Sequence, residues 1–245
     1  MGQKVVAIHQ PNFFPWLGYF NKVAKADVFI IHDAVQFPKT GGTWMNRVRI
    51  LVNGAPSWLT MPVRRNHHGH QMIHEVCIND QTAWREKCLA TVKHSYRRTP
   101  YFDEVYPFLQ RLFEHRADRL SDFNLNVIMA LLEKLEIAPG CIQSGTRLNL
   151  RGQKKGTDLL VSMVEAVGGE AYLCGGGASG YQQDEKFGAA GLRLVKQEFR
   201  QAEYRQVGAK GFVPGLSIID ALMNCGFEGT RGLVMGTAMQ PVPVS

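Results

Sequence analysis

Val5-Val6-Ala7-Ile8-His9-Gln10-Pro11-Asn12-Phe13-Phe14-Pro15-Trp16-Leu17-Gly18-Tyr19-Phe20 is the stretch from which the fold can be read. It starts with a run that stays apolar up to His9, as a strand buried on both faces requires. Pro11 and Pro15 lock a loop rich in large side chains. Leu17, Phe20, Val23 and Ala24 then recur at helical spacing, so a helix opens at Trp16 or Leu17 and runs to residue 26. Asp27-Val28-Phe29-Ile30-Ile31-His32-Asp33 is a second continuous apolar strand with a polar end. Strand, short helix and strand in close succession make a βαβ unit, whose strands are parallel. Ligands of α/β proteins bind where the strand end, the loop amides and the helix N-terminus converge. Residues 9–22 are therefore the expected site.

Beyond this unit the pattern changes. Trp44–Val52 and Ser57–Pro62 alternate around Asn53-Gly54, a hairpin signal in which Ala55-Pro56 would lengthen the turn. The hairpin is expected in or beside the parallel sheet. A short strand is expected at 75–79. Three helical patterns follow: Trp84–Tyr96 with Asp80 or Thr82 as cap, 103–116, and Ser121–Glu136. Together residues 80–138 read as a helical lobe over the sheet edge. A second α/β stretch holds strands at Cys141–Ser144, Ala171–Cys174 and Leu192–Gln197, a helix at Thr157–Val167, and a short helix at Ser217–Asn224 ended by Gly226. The expected fold is a Rossmann-like α/β parallel sheet with an inserted β-hairpin and a helical lobe, in one domain spanning 1–245.

The chain has 245 residues, a net charge of +7 and five cysteines without a CxxC pair. No apolar run is long enough for a membrane span, and the start lacks a secretory layout, which predicts a cytoplasmic protein with reduced thiols. Cys174, leading into Gly175–Gly180, and Cys225 are the thiols that could do chemistry. The basic residues form local knots, Arg47/Arg49 and Arg64/Arg65 among them, which suit anionic small substrates better than nucleic acid. His67, His68, His70 and His74 have no carboxylate or cysteine at ligand spacing, so no metal and no cofactor is expected.

His9 and Asp33, at two parallel strand ends, share a rim and could act as a base and its orienting carboxylate. Gln10 suits an amide, sugar hydroxyl or base edge. Gly18 lets another backbone or a ligand come close, and Lys22, one turn on, could reach an anion. Gln36, Asn46, Arg47 and Arg49 could complete the rim, arginine being the natural phosphate clamp. Ser179 and Tyr181 stand in the glycine loop after a strand. Asp220 and Asn224 share a helix face and either line a pocket or pair structurally.

His9-Gln10-Pro11-Asn12-x-x-Pro15-Trp16-Leu17-Gly18-Tyr19, then Lys22, Asp33, Val35-Gln36-Phe37, Asn46-Arg47-x-Arg49, Trp58-Leu59-Thr60 and Leu216-Ser217-Ile218-Ile219-Asp220-x-Leu222-x-Asn224-x-Gly226 resemble the WbqC-like proteins. The resemblance covers nearly the whole chain. It implies a place in O-antigen, related polysaccharide or secondary-metabolite gene clusters. Where that family often reads Asp-Asp, this chain has Asp33-Ala34. The opening is also similar, more faintly, to pantothenate synthetase and other nucleotidylyltransferase-like proteins. Trp16-Leu17-Gly18-Tyr19 stands where those carry H-x-G-H, so both phosphate-binding histidines are replaced by aromatics.

The resulting expectation is a transferase of surface-polysaccharide biosynthesis, acylating or aminoacylating the amine of a nucleotide-linked amino sugar. Its partners would be a sugar nucleotide and an acyl donor, carrier-bound or free. Trp16 and Tyr19 would stack on the sugar or base, and Arg47 and Arg49 would hold a phosphate. The rival readings are a nucleotide-using enzyme of the nucleotidylyltransferase-like type and a non-catalytic binding module of a biosynthetic complex.

Overall fold

The computed structural model describes residues 2–65, 70–138, 140–148, 150, 154–175 and 182–236. The first strand, β1 (Val5–His9), is followed by α1 (Leu17–Ala24) and β2 (Val28–Ile31). A hairpin of β3 (Arg47–Val52) and β4 (Ala55–Thr60) comes next, then α2 (Trp84–Tyr96), α3 (Phe102–Glu114) and α4 (Leu120–Lys134). The chain closes with β5 (Ile142–Ser144), α5 (Gly156–Ala166), β6 (Ala171–Cys174), α6 (Glu185–Ala189), β7 (Arg193–Lys196) and α7 (Ile218–Met235).

Five strands form one sheet in the order β5-β2-β1-β6-β7, every pairing parallel. Counted along the chain this is the Rossmann order, with the reversal between β1 and β6. The strands read as continuous apolar runs because both faces are buried. Ala7, Phe29 and Leu173 face one hydrophobic cluster; Val6, Ile8, Val28, Ile30 and Tyr172 face another. The first cluster includes α1, α7, the hairpin and α2–α4; the second includes residues of α5 and α6. The fold is thus a Rossmann-like α/β sheet with helices on both faces.

Several elements differ from the sequence expectation. The hairpin is its own antiparallel sheet, one of the two placements expected, but its turn is tight: Val52 pairs with Ala55, leaving Asn53 and Gly54 at φ 51 and 77. Pro56 does not lengthen the turn, because an edge strand tolerates a missing N–H. Residues 73–75 form a 3₁₀ turn, with isolated bridges at Cys77 and Ile78, where a strand was expected. Asp80 does not cap α2. Its carboxylate accepts from Trp84 Nε1 at 2.7 Å and pairs with Arg85. Helices α2–α4 share one hydrophobic cluster with the loop after β1, the hairpin and α7. The last helix does not end at Gly226. That residue interrupts it, with φ 69 and ψ −175, and helix resumes to Met235. A Cβ there would press on the Tyr101 ring.

Candidate functional site

The strand order reverses between the paired strands β1 and β6, so the connections from their carboxyl ends run to opposite faces of the sheet and leave a crevice. Two cavities open there, of about 530 and 520 Å³, and both are lined by His9, Lys22 and Gly175. One continues past Gln10, His32, Gln36 and Tyr172 to Gly156, Leu159 and Leu160 at the start of α5. We call it the histidine chamber. The other runs past Asn12, Trp16, Gly18 and Tyr19 to Trp44, Arg49, Gln197 and Phe199. This is the aromatic chamber.

The loop between β1 and α1 is held from several sides. Asn124 of α4 donates to the carbonyls of Pro11, at 2.8 Å, and Met45, at 2.7 Å. Phe13 packs among Trp84, Phe113 and Phe123, and Phe14 stacks on Phe113. Phe14 sits at φ 39, a left-handed conformation rare for a bulky residue. Its carbonyl accepts from Ser217 Oγ at 2.8 Å, and Ile218 N–H donates to the Pro15 carbonyl at 2.9 Å. The loop is thereby fixed in a shape it would not choose alone. The freedom at Gly18 is used by the chain itself: the Trp16 indole lies where a Cβ would stand.

Lys22 dominates the electrostatics. It is 4% exposed, and its ammonium donates to the Ile8 carbonyl at 3.0 Å and lies 5.8 Å from the centre of the Tyr172 ring. Among the described residues it forms no ion pair with a carboxylate. Burial pulls its pKa down to about 8, against a small opposing pull from Cys174. His9 contacts the Gln10 carbonyl through Nδ1 at 3.1 Å and sets its ring at 68° to that of Tyr19. Burial first, then Lys22, lowers its pKa to about 3. Burial lowers His32 to about 4, and its Nδ1 has no hydrogen-bond partner. Both imidazoles are neutral at pH 7, and Lys22 is the positive charge the chambers share. A neutral His9 with its proton on Nδ1 keeps the Nε2 lone pair as an acceptor.

The aromatic chamber combines flat rings with buried polar atoms. Trp16 meets Phe199 edge-on at 5.8 Å. Trp44 and Trp58, each 46% exposed, lie 5.5 Å apart, and the Arg47 guanidinium stacks 4.1 Å from the Trp58 ring. Arg47 and Arg49 share a face of β3, since strand side chains alternate. Arg49 lines the chamber and Arg47 does not, and Nε of each lacks a partner. Asn12 Oδ1 and Tyr19 OH are also buried without partners. Planar rings with arginine, lysine and amide groups suit a sugar or base bearing phosphate.

His9, Gln10, Trp16, Gly18, Tyr19, Lys22, Gln36 and Arg49 therefore gather around the two chambers. The expected His9–Asp33 pair does not form. Asp33 accepts from Ser144 Oγ at 2.7 Å and from Thr146 N–H at 3.1 Å, which ties β2 to β5. Asn46 caps its own loop, accepting from Thr43 N–H and donating to the Met61 carbonyl. Asp220 is fully buried and accepts from Tyr96, Tyr204 and Gln206, while Asn224 bonds to the Asp220 carbonyl and Val207 N–H. This pair is a structural knot, and neither residue lines a chamber. Ser179 and Tyr181 lie outside the described residues, as do His67 and His68. His74 contacts the Asp33 carbonyl through Nδ1 at 3.0 Å. Asn12, His32, Trp44, Tyr172, Gln197 and Phe199 were not singled out in the sequence. Asn12 carries a signal through its place in the His9-Gln10-Pro11-Asn12 motif, and His32 through its place next to Asp33. Gln197 and Phe199 carried none.

The WbqC-like protein family matches residues 10–232. The chain belongs to the WbqC-like protein family. A relative by sequence is the uncharacterized protein Rv1507c of Mycobacterium tuberculosis, 30% identical over 227 residues, covering 92% of this chain and 95% of the relative. No solved structure matches this WbqC-like chain. Among its described residues, no helix is long and apolar enough to cross a membrane.

Proposed function

We propose that this WbqC-like protein is a transferase acting on a nucleotide-linked sugar in bacterial surface-polysaccharide or related biosynthesis, and that it works in the cytoplasm. The observation that carries this reading is Lys22. A buried ammonium without a carboxylate is costly unless a ligand supplies the anion. A pyrophosphate supplies it, and the sugar or base then rests against Trp16, Trp44 and Phe199, with Arg49 on a second phosphate oxygen. The replacement of H-x-G-H by Trp16-Leu17-Gly18-Tyr19 favours holding a finished sugar nucleotide over making one from a triphosphate.

The reaction that suits the chamber walls is acyl or aminoacyl transfer to an amine on the sugar. His9 Nε2 accepts a hydrogen bond from that amine and aims its lone pair at the acyl carbon. With a pKa of about 3, His9 stays an acceptor and does not keep the proton. Its orienting partner is the Gln10 carbonyl, in place of Asp33.

Calorimetry with amino sugars linked to UDP, dTDP and GDP tests the reading. At least one should bind more tightly than its free nucleoside diphosphate, and Lys22→Met should weaken it tenfold or more. Heat from none of them removes the proposal.

A further inference from the structure

The histidine chamber has its own chemistry and no place yet in the reaction. Its walls are apolar at Val35, Leu159 and Leu160 and polar at Gln10 and His32. It reaches Gly156, the first residue of α5, whose N-cap residue Lys155 makes no side-chain cap bond. At the other end stands Lys22. At about 530 Å³ it is a full small-molecule site, nearly equal to its neighbour at about 520 Å³. Among the described residues, the two share three lining residues, His9, Lys22 and Gly175. None of these three carries a hydroxyl or a thiol that could hold an acyl group, and an acylated lysine is a stable amide that would not pass it on.

We propose that the histidine chamber binds the second substrate, an acyl group activated on phosphate, at the same time as the aromatic chamber holds the sugar nucleotide, and that the acyl group passes directly across the His9–Lys22 junction. The acyl phosphate shares the Lys22 ammonium with the pyrophosphate of the sugar nucleotide, one on each side of the junction, and a short aliphatic chain lies along Leu159 and Leu160. The sugar amine attacks the acyl carbon. A C–N bond forms, the C–O bond to phosphate breaks, and the nitrogen proton leaves on the released phosphate. Lys22 steadies the charge that collects on that phosphate, and no acyl-enzyme forms. The occupant of the aromatic chamber rests on the function proposed above; the anion site of the histidine chamber does not.

Butylphosphonate, a stable anion with a short apolar tail, probes the histidine chamber, and UDP probes the other. Each titrated into protein saturated with the other should still bind with one-to-one stoichiometry. Leu160 is only partly buried, so a larger ring there can turn into the chamber without displacing core. Leu160→Trp should weaken butylphosphonate at least tenfold and leave UDP within twofold. Arg49→Met should do the reverse. Circular dichroism and the retained ligand show that each variant is folded. Mutual displacement of the two probes, or equal loss of both in Leu160→Trp, would overturn the proposal by showing one continuous site. If UDP fails to bind while butylphosphonate binds and responds to Leu160→Trp, the sugar-nucleotide reading falls and the anion site stands. If butylphosphonate does not bind, this proposal falls whatever UDP does.

Discussion

Lys22 sets two opposing demands at one residue. In the proposed function its charge serves a ligand, and in the unliganded fold it is a cost. Its folded pKa of about 8 lies below the ordinary 10.5, so the fold prefers the neutral amine. The stability this group contributes is complete above pH 10.5 and is lost as pH falls through 8. Lys22→Met should therefore stabilise the unliganded protein at pH 7 by about 1–2 kcal/mol. The gap between variant and parent, read by urea unfolding, should close as pH is raised to 10. His9 and His32 act in the acid range. Their folded values, about 3 and 4, lie below 6.5, so the unfolded chain takes up protons first. Stability present above pH 6.5 is then lost as pH falls towards 4. Urea midpoints at pH 7, 5.5 and 4.5 should decline, and His32→Gln should flatten the decline. Lys22 and His9 were legible in the sequence because each lies within a turn or two of a strand end. The loss of the His9–Asp33 pair was not, because Ser144 and Thr146 reach Asp33 across more than a hundred residues.

Among the elements, α7 does most of the joining. Asp220 at its start draws hydroxyls from Tyr96 of α2 and from Tyr204, and Tyr96 OH also accepts from Leu51 N–H of β3. Burial raises the pKa of this carboxyl, while the three donors pull it back. Asp220→Ala strands those donors and should cost about 3–5 kcal/mol, against roughly 1–3 for Asp220→Asn, in urea titrations. The (i, i+4) spacing of Asp220 and Asn224 is visible in the chain and leaves open a pocket lining or a structural pairing, of which the fold shows the second. Their partners are brought by folding, and no local signal announces them. Gly226 was read as a stop. It is a break inside a longer helix, at a φ/ψ combination close to glycine-only. Gly226→Ala should cost about 1–3 kcal/mol and shift the Tyr101 ring. The hairpin shows the opposite case. Its register was set by Asn53-Gly54 alone, and the added proline changed nothing.

At the scale of the molecule, the parallel sheet was readable because burial on both faces leaves a plain mark, a run of apolar residues at each strand. The chambers were readable only in part. β1 and its loop were expected at the site, whereas the contributions of α5 and of residues 197–199 depend on strand order, which no segment specifies by itself. Since a ligand at the reversal point touches β1, α1, the hairpin and the segment after β7, its stabilisation should be global. A sugar nucleotide at a hundred times its Kd should raise the unfolding free energy by about 2.7 kcal/mol, seen as one unshouldered thermal transition. Two transitions, with only one shifting, would show that the ligand engages a local unit.

The bonds from Ser217 and Ile218 to the Phe14 and Pro15 carbonyls join residues about two hundred positions apart. On a ribosome this separation becomes time. The loop that builds the site leaves the exit tunnel about two hundred residues ahead of Ser217, carrying Phe13 and Phe14, and waits for that stretch to be made before α7 arrives to hold it. During that interval those two rings are available to chaperones. A nascent chain arrested before residue 217 should be a holdase client that binds no nucleotide, and emergence of α7 should end both conditions together.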